Sequence, residues 1–150
     1  MKKNKLIIRT KSKTYPIYFG KNILNKTGRL IEKNLFNVKK ICIISDNKIP
    51  KVVLSILIKS LKKYNLKIYK LQVSEKTKSL KVANKIIEEL LEDNFNRSDC
   101  IIALGGGIIG DLSAFISSIT KRGLKFINIP TTLLAQVDAS IGGKTGINTN

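Results

Sequence analysis

Gly105, Gly107 and Gly110, in the stretch "IIALGGGIIGD", stand at the spacing G-x-G-x-x-G between an apolar run and an amphipathic one. Glycines at a strand-to-helix turn let backbone N–H groups approach an anion, and the helix N-terminus adds partial positive charge, so such a turn can cradle a phosphate. The spacing alone fits a generic turn equally well. Three further stretches carry groups suited to a polyphosphate and a ribose: "DNK" from Asp46, "SEKTK" from Ser74 and "PTT" from Pro130. Carboxylates accept from ribose hydroxyls, and threonine hydroxyls donate to phosphate or sugar. Taken singly, each stretch is also ordinary turn and capping chemistry, with Asp46 as an Asx turn, Ser79 as a helix cap, and Thr131 or Thr132 as the next cap.

The four stretches form a site only if the elements around them bring them to one place. Leu6–Arg9 and Tyr15–Phe19 flank a polar segment and predict a hairpin or two neighbouring strands. From Lys40 the rhythm changes. Lys40–Ser45 is a continuous apolar run, as expected for a strand covered on both faces. Lys51–Tyr64 follows Pro50 and sets Val53, Leu54, Leu57, Ile58 and Leu61 on one stripe, which predicts a helix. Lys67–Val73 then reads as a strand, Ser79–Asp93 as a helix with Leu80, Ala83, Ile87 and Leu90 inward, and Cys100–Leu104 as a buried strand. A helix from about Gly110 to Thr120 and a strand over Lys125–Ile129 complete the pattern. Alternating strands and helices predict an α/β fold with a parallel sheet and right-handed crossovers. Ligands in such sheets gather outside the carboxyl ends of the strands, so the loops after Ser45, Val73, Leu104 and Ile129 are expected along one edge.

One feature separates this pattern from the usual dinucleotide fingerprint. That site uses an acidic residue about 20 positions beyond its glycines to hold the adenosine ribose. No carboxylate lies between Asp111 and Asp138, and the glycines follow a later strand rather than the first. A different nucleotide-binding fold is required.

The net charge of +18 suggests nucleic acid, since lysines neutralising phosphates release counterions. The excess, however, is almost all lysine, is spread over many segments, and accompanies abundant isoleucine and asparagine, as in proteins of AT-rich genomes. No aromatic interleaving and no RNP-like motif accompanies it, so a solvated surface is expected and no nucleic-acid partner. The charged start Met1–Lys5 is followed by an apolar run that stops at Arg9, too short for a signal peptide, and no stretch approaches the ~20 apolar residues that span a bilayer. A soluble, cytoplasmic protein without a membrane partner is expected. Cys42 and Cys100 each sit in an isoleucine-rich run, where a thiol behaves as a small buried hydrophobe rather than half of a disulfide.

The stretch "LGGGIIGDLSAFISSITKRGLKFINIPTTLLAQVDASIGGKTGIN", Leu104–Asn148, closely resembles the corresponding part of the 3-dehydroquinate synthase family, and "SEKTKSL" resembles that family's G-E-x-x-K-S-L loop. The resemblance implies a Rossmann-like parallel sheet with flanking helices, the N-terminal NAD-binding domain of the dehydroquinate synthase-like fold, over residues 1–150. It implies NAD as cofactor, with Asp46 on the adenosine ribose, which accounts for the missing acid. Glu75 and Lys78 would contact the cofactor, Gly105, Gly106, Gly107, Ile108, Ile109, Gly110 and Asp111 would wrap its pyrophosphate, and Thr131 and Thr132 would finish the nicotinamide side, with Lys144 also at the cofactor. Arg122, Asp138 and Lys144 would face the substrate, 3-deoxy-D-arabino-heptulosonate 7-phosphate, with Arg122 reaching into a neighbouring subunit of a homodimer. Ser74 stands where the family has glycine and Lys76 where glutamine is common, which weakens the carry-over at that loop.

The implied reaction oxidises a secondary alcohol with NAD, expels phosphate, returns the hydride and closes the ring of 3-dehydroquinate in the shikimate pathway. Lysine and arginine supply the fixed positive charge that phosphate departure needs. Arg122 also reads as an ordinary helix C-terminal cation before Gly123. The family's divalent metal, zinc or cobalt, is held by a glutamate and two histidines of a second, helical domain, and this chain has no histidine. The chain therefore looks like the N-terminal domain of a truncated or split enzyme, inactive alone, and no catalytic or metal-binding residue is assigned in it. Another sugar-phosphate cyclase, the related metal-dependent polyol dehydrogenases, and a non-catalytic NAD-binding remnant are the competing readings.

Overall fold

The structure, a computed structural model, describes residues 5–11, 13–141 and 145–148. Strands β1 (Lys5–Arg9) and β2 (Thr14–Tyr18) pair antiparallel as a hairpin apart from the main sheet. Helix α1 (Thr27–Asn34) follows, then β3 (Lys40–Asp46), α2 (Lys51–Ser60), β4 (Asn65–Leu71), α3 (Leu80–Glu92), β5 (Cys100–Gly105), α4 (Gly107–Ile119) and β6 (Lys125–Pro130). The main sheet has the order β4-β3-β5-β6, and every pairing in it is parallel. This is the expected α/β, Rossmann-like arrangement.

The two inner strands are covered on both faces, which is why they read as continuous apolar runs. Cys42 and Ile44 of β3, with Ile101 and Ala103 of β5, pack against Ala83, Ile86 and Leu90 of α3 and Ile109, Leu112 and Ile116 of α4. Ile41 and Ile43, with Cys100, Ile102 and Leu104, pack on the other face against Ile31 of α1 and Leu54, Leu57 and Leu61 at α2. Cys42 and Cys100 thus belong to opposite faces, and both are buried free thiols. Burial, the largest influence, pushes the Cys42 thiol up to about 12 and the Cys100 thiol upward as well.

Several expected elements shift. Strand β4 starts at Asn65 rather than Lys67 because it follows the register of β3, Lys40 opposite Asn65, and it ends at Leu71 where Gln72 turns to accept the Thr77 hydroxyl. Helix α2 stops at Ser60 rather than Tyr64, closing through the Leu61 N–H on the Ile58 carbonyl. On α3 the inward stripe is Ala83, Ile86 and Leu90; Leu80, expected inside, is 47% exposed, and Ile87 is only partly buried. Helix α4 begins at Gly107, three residues before the expected start, with Gly106 as its N-cap.

Helix α1 has no counterpart among the expected elements. It buries only Thr27, Gly28 and Ile31, too few apolar side chains to show a stripe. Gly28 explains how it docks: a Cβ there would stand 2.0 Å from the Ser60 carbonyl oxygen, so the two helices meet backbone to backbone. No helix among the described residues is long and apolar enough to cross a membrane.

Candidate functional site

Parallel register brings the carboxyl ends of all four main strands level. Asp46 stands opposite Leu71, Ser45 opposite Leu104, and Gly105 opposite Pro130. The loops that leave these ends enclose a cleft of 590 Å³ lined by Asp46, Lys48, Ile49, Pro50 and Val53 after β3, Val73 after β4, Gly106, Gly107 and Ile108 after β5, and Thr131 and Thr132 after β6. The volume falls within the range of cofactor and substrate pockets, about 300–1,000 Å³.

On the β3 side, Asp46 forms the Asx turn its sequence suggests: its Oδ1 accepts the Lys48 N–H at 2.9 Å, and its carbonyl accepts the Ile49 N–H at 3.1 Å. This fixes the carboxylate at the cleft wall. Lys48, two residues on, adds a cation that sequence reading passed over although it stands in the quoted "DNK".

The glycine turn separates into two kinds of position. At Gly105 a Cβ would meet the Ile109 side chain at 2.8 Å, so this glycine permits close packing of α4 on the sheet, whereas at Gly110 it would stand 3.4 Å from the Asn128 amide, an ordinary contact. Gly106 and Gly107 differ. A Cβ at Gly106 would find only Thr132 at 3.5 Å and one at Gly107 only Ala139 at 3.7 Å, both ordinary contacts, and the Gly106 φ of −79° suits any residue. The fold does not require glycine at these two cleft-lining positions. They open instead onto the first turn of α4, whose N–H groups have no intrahelical partners by helical geometry. No acidic residue lies in that turn and no side chain caps it. The positive end of the helix dipole therefore faces the cleft unneutralised, the arrangement that accepts a phosphate.

Ile109 and Gly110, expected at the pyrophosphate, are buried under α4 and neither lines the cleft. The early start of the helix is the reason: it turns both residues toward the sheet. Thr132 occupies the expected capping position, its Oγ1 accepting the Ala135 N–H at 3.2 Å, and the Thr131 N–H binds the Gly105 carbonyl at 2.9 Å. Ser79 is the N-cap of α3 but makes no side-chain cap bond.

Glu75, Lys78 and Asp111 form a second cluster. Lys78 Nζ stands 2.5 Å from Asp111 Oδ2, and both side chains are about four-fifths buried, at 21% and 20% exposure. Glu75 lies in the three-residue turn Glu75–Thr77, held by reciprocal Ser74–Thr77 capping. Thr145 and Asn148, which sequence reading did not single out, bond to this cluster: Thr145 donates to the Asp111 carbonyl at 3.3 Å and the Asn148 amide to Glu75 Oε2 at 3.2 Å.

Arg122 is not brought to this edge. It follows α4 and precedes β6, at the end where the strands begin, beside a depression lined by Asn94, Phe95, Asn96, Arg97, Lys121 and Arg122. Lys121 and Arg122 both take left-handed backbone, with φ of 50° and 66°. Asp138 is exposed on the helical turn Ala135–Ala139 past Thr132. Lys144 lies outside the described residues. Among those residues no group of three histidine, cysteine or acidic side chains could hold a metal ion.

Residues 68–150 match the family model described as 3-dehydroquinate synthase N-terminal. The chain is 49% identical over 145 residues to a 3-dehydroquinate synthase of Pelagibacter ubique, covering 97% of this chain and 39% of that protein. It is 43% identical over 135 residues to a 3-dehydroquinate synthase of Alkaliphilus oremlandii, covering 90% of this chain and 37% of that protein. It thus spans about two-fifths of the length of these relatives. Among solved structures, 2-deoxy-scyllo-inosose synthase, crystallised with carbaglucose-6-phosphate, NAD+ and Co2+, superposes with a TM-score of 0.88 at 24% identity over 97% of this chain and 40% of its own. That likeness shows the fold.

Proposed function

Since this chain belongs to the 3-dehydroquinate synthase N-terminal family, we propose that it is the NAD-binding portion of a 3-dehydroquinate synthase. The observation that carries the reading is the pair Gly106 and Gly107, which line the cleft at an unneutralised helix N-terminus where the fold itself has no need of glycine. Open backbone at that point suits a pyrophosphate, and the solved relative that shares the fold was crystallised with NAD+. The 49% identity to a 3-dehydroquinate synthase, against 24% to 2-deoxy-scyllo-inosose synthase, favours this enzyme over another sugar-phosphate cyclase.

In this reading Asp46 accepts from the adenosine ribose hydroxyls, the α4 N-terminus holds the pyrophosphate, and Thr131 and Thr132 flank the nicotinamide side. Glu75 and Lys78 close the rim, with Asp111 orienting the Lys78 ammonium. Bound NAD supplies reversible removal of a hydride from a secondary alcohol. The chain's own part is to fix that cofactor against the substrate and to exclude water from it. Asp138 and Lys144 belong to the substrate side, 3-deoxy-D-arabino-heptulosonate 7-phosphate, where a lysine aimed at the phosphate stabilises charge as it departs. Arg122, at the opposite end of the sheet from the cleft, fits a role only in the site of a second copy, which makes the working unit a homodimer.

The described residues do not fit a divalent metal, and the sequence has no histidine. Its ligands are assigned to the additional length that the relatives carry. The 150 residues alone accordingly bind NAD weakly and turn nothing over. The protein acts in the cytoplasm on a small molecule, and its lysines solvate the surface.

A chimera tests the reading: this chain replaces the matching two-fifths of the Pelagibacter ubique relative. Phosphate release from substrate that depends on NAD is expected. A folded chimera that binds substrate yet releases no phosphate contradicts it.

A further inference from the structure

The segment Thr145–Asn148 lies against Glu75, Lys78 and Asp111, three of the residues assigned to the cofactor. Its anchor is Ile147, which packs on the core between the sheet and helices α3 and α4. On one side of that anchor, Thr145 donates its hydroxyl to the Asp111 carbonyl at 3.3 Å. On the other, the Asn148 N–H donates to the Lys78 carbonyl at 2.8 Å, and Ser79 and Asn148 form a parallel bridge. The Asn148 side-chain amide donates both to the Glu75 carbonyl, at 3.3 Å, and to the Glu75 carboxylate, at 3.2 Å.

We propose that Asn148 is a positioning residue that staples the Glu75–Ser79 turn in the orientation from which Glu75 and Lys78 meet the cofactor. The proposal rests on the NAD-binding reading above.

A turn of three residues, held otherwise by Ser74 and Thr77, leaves the direction of its side chains poorly determined. Lys78 has four rotatable bonds, and fixing them for one ion pair with Asp111 costs side-chain entropy, to which a mobile turn would add the cost of ordering its backbone. The Asn148 backbone N–H holds it at the Lys78 carbonyl, a bond that alanine or aspartate at that position keeps, so the side chain's own part is its grip on Glu75. Its amide also has two N–H donors on one planar group, enough to bind a carbonyl and a carboxylate of the same residue. This sets the Glu75 side chain as well as its backbone. Aspartate has nearly the same shape but no such donors, and its charge would repel the Glu75 carboxylate.

The test uses amide hydrogen exchange and NAD titration on the 150-residue chain and three variants. In Asn148→Ala and Asn148→Asp, exchange at Lys78 and Ser79 is expected to quicken at least about fivefold, because local opening of the turn becomes easier. The double variant Asn148→Asp with Glu75→Gln restores the side-chain amide-to-carboxylate bond with donor and acceptor exchanged, but not the bond to the Glu75 carbonyl. Its exchange rates should fall at least about twofold below those of Asn148→Asp, part of the way back to the original. Asn148→Ala should also raise the NAD dissociation constant about three- to tenfold, with the thermal midpoint within about 2 °C of the original, since no core contact is removed. Unchanged exchange in both single variants overturns the staple, and faster exchange with unchanged NAD affinity overturns its role at the cofactor. Absence of any NAD signal in the original chain contradicts the cofactor reading instead, and the exchange rates then decide the staple alone.

Discussion

Lys78 and Asp111, separated by 33 positions, form an ion pair with Nζ 2.5 Å from Oδ2 and both side chains about four-fifths buried. The pair ties the loop after β4 to α4, whose neighbouring residues Val73, Gly107 and Ile108 line the cleft. Partial burial makes it a structural tie rather than a surface pairing, which is typically worth little.

Removing the acid should therefore be felt at the cofactor. Asp111→Ala in a complete enzyme carrying this domain is expected to weaken NAD binding at least about tenfold, or about 1.4 kcal/mol, by releasing the Lys78 ammonium and loosening the glycine turn. Titration calorimetry checks this, and an unchanged affinity would remove Asp111 from the cradle.

Adjacent glycines should behave differently. Gly105→Ala puts a Cβ 2.8 Å from the Ile109 side chain and should lower stability by about 1–3 kcal/mol, as overpacking does. Gly106→Ala makes only a 3.5 Å contact with Thr132, so apart from the loss of up to about 1 kcal/mol that alanine brings at an N-cap it should leave stability unchanged while weakening NAD binding several-fold. Equal destabilisation by both would mean that Gly106 serves the fold after all.

At the α1–α2 contact, Gly28→Ala would set a Cβ 2.0 Å from the Ser60 carbonyl oxygen, a backbone atom that cannot step aside cheaply. A loss of at least about 2 kcal/mol in denaturant unfolding is expected, with NAD affinity of the remaining folded protein preserved. Little change would show that the helices separate freely.

The buried thiols give a pH dependence. Burial raises the Cys42 thiol from 9.0 to about 12, and the unfolded chain, lacking that burial, loses the proton first. Above pH 9 the unfolded state binds fewer protons than the folded one, so this contribution to stability is present below that pH and is lost as pH rises toward 12. Urea unfolding at pH 7 and pH 10 should show a smaller drop for Cys42→Ala than for the unmodified chain, and native thiols should resist alkylation. Rapid alkylation of the folded protein at pH 8 would contradict their burial.

Much of this arrangement was legible in the residues. The runs Lys40–Ser45 and Cys100–Leu104 read as doubly covered strands because isoleucine on both faces leaves no solvent side, and parallel topology then carries the loops after them to one edge. Helix α1 was not legible, since its docking depends on the absence of a side chain at Gly28 rather than on a stripe. The start of α4 is hidden in the sequence because three successive glycines look like loop, yet a helix N-terminus needs only open N–H groups. Asn148 lies 73 positions from Glu75, a pairing no local pattern announces. Arg122, read beside Asp138, sits at the other end of the sheet because a crossover helix always returns the chain to where the strands begin.

The proposed function puts NAD in the cleft at the carboxyl ends of the strands. Two-dimensional NMR of the 150-residue chain, titrated with NAD into the millimolar range, tests it even for weak binding. Saturable shifts are expected at the amides of Asp46, Lys48, Gly106, Gly107, Ile108, Thr131 and Thr132, with Arg97, Lys121 and Arg122 at the opposite end undisturbed. Shifts confined to that opposite end, or none at all in a folded chain, would contradict it.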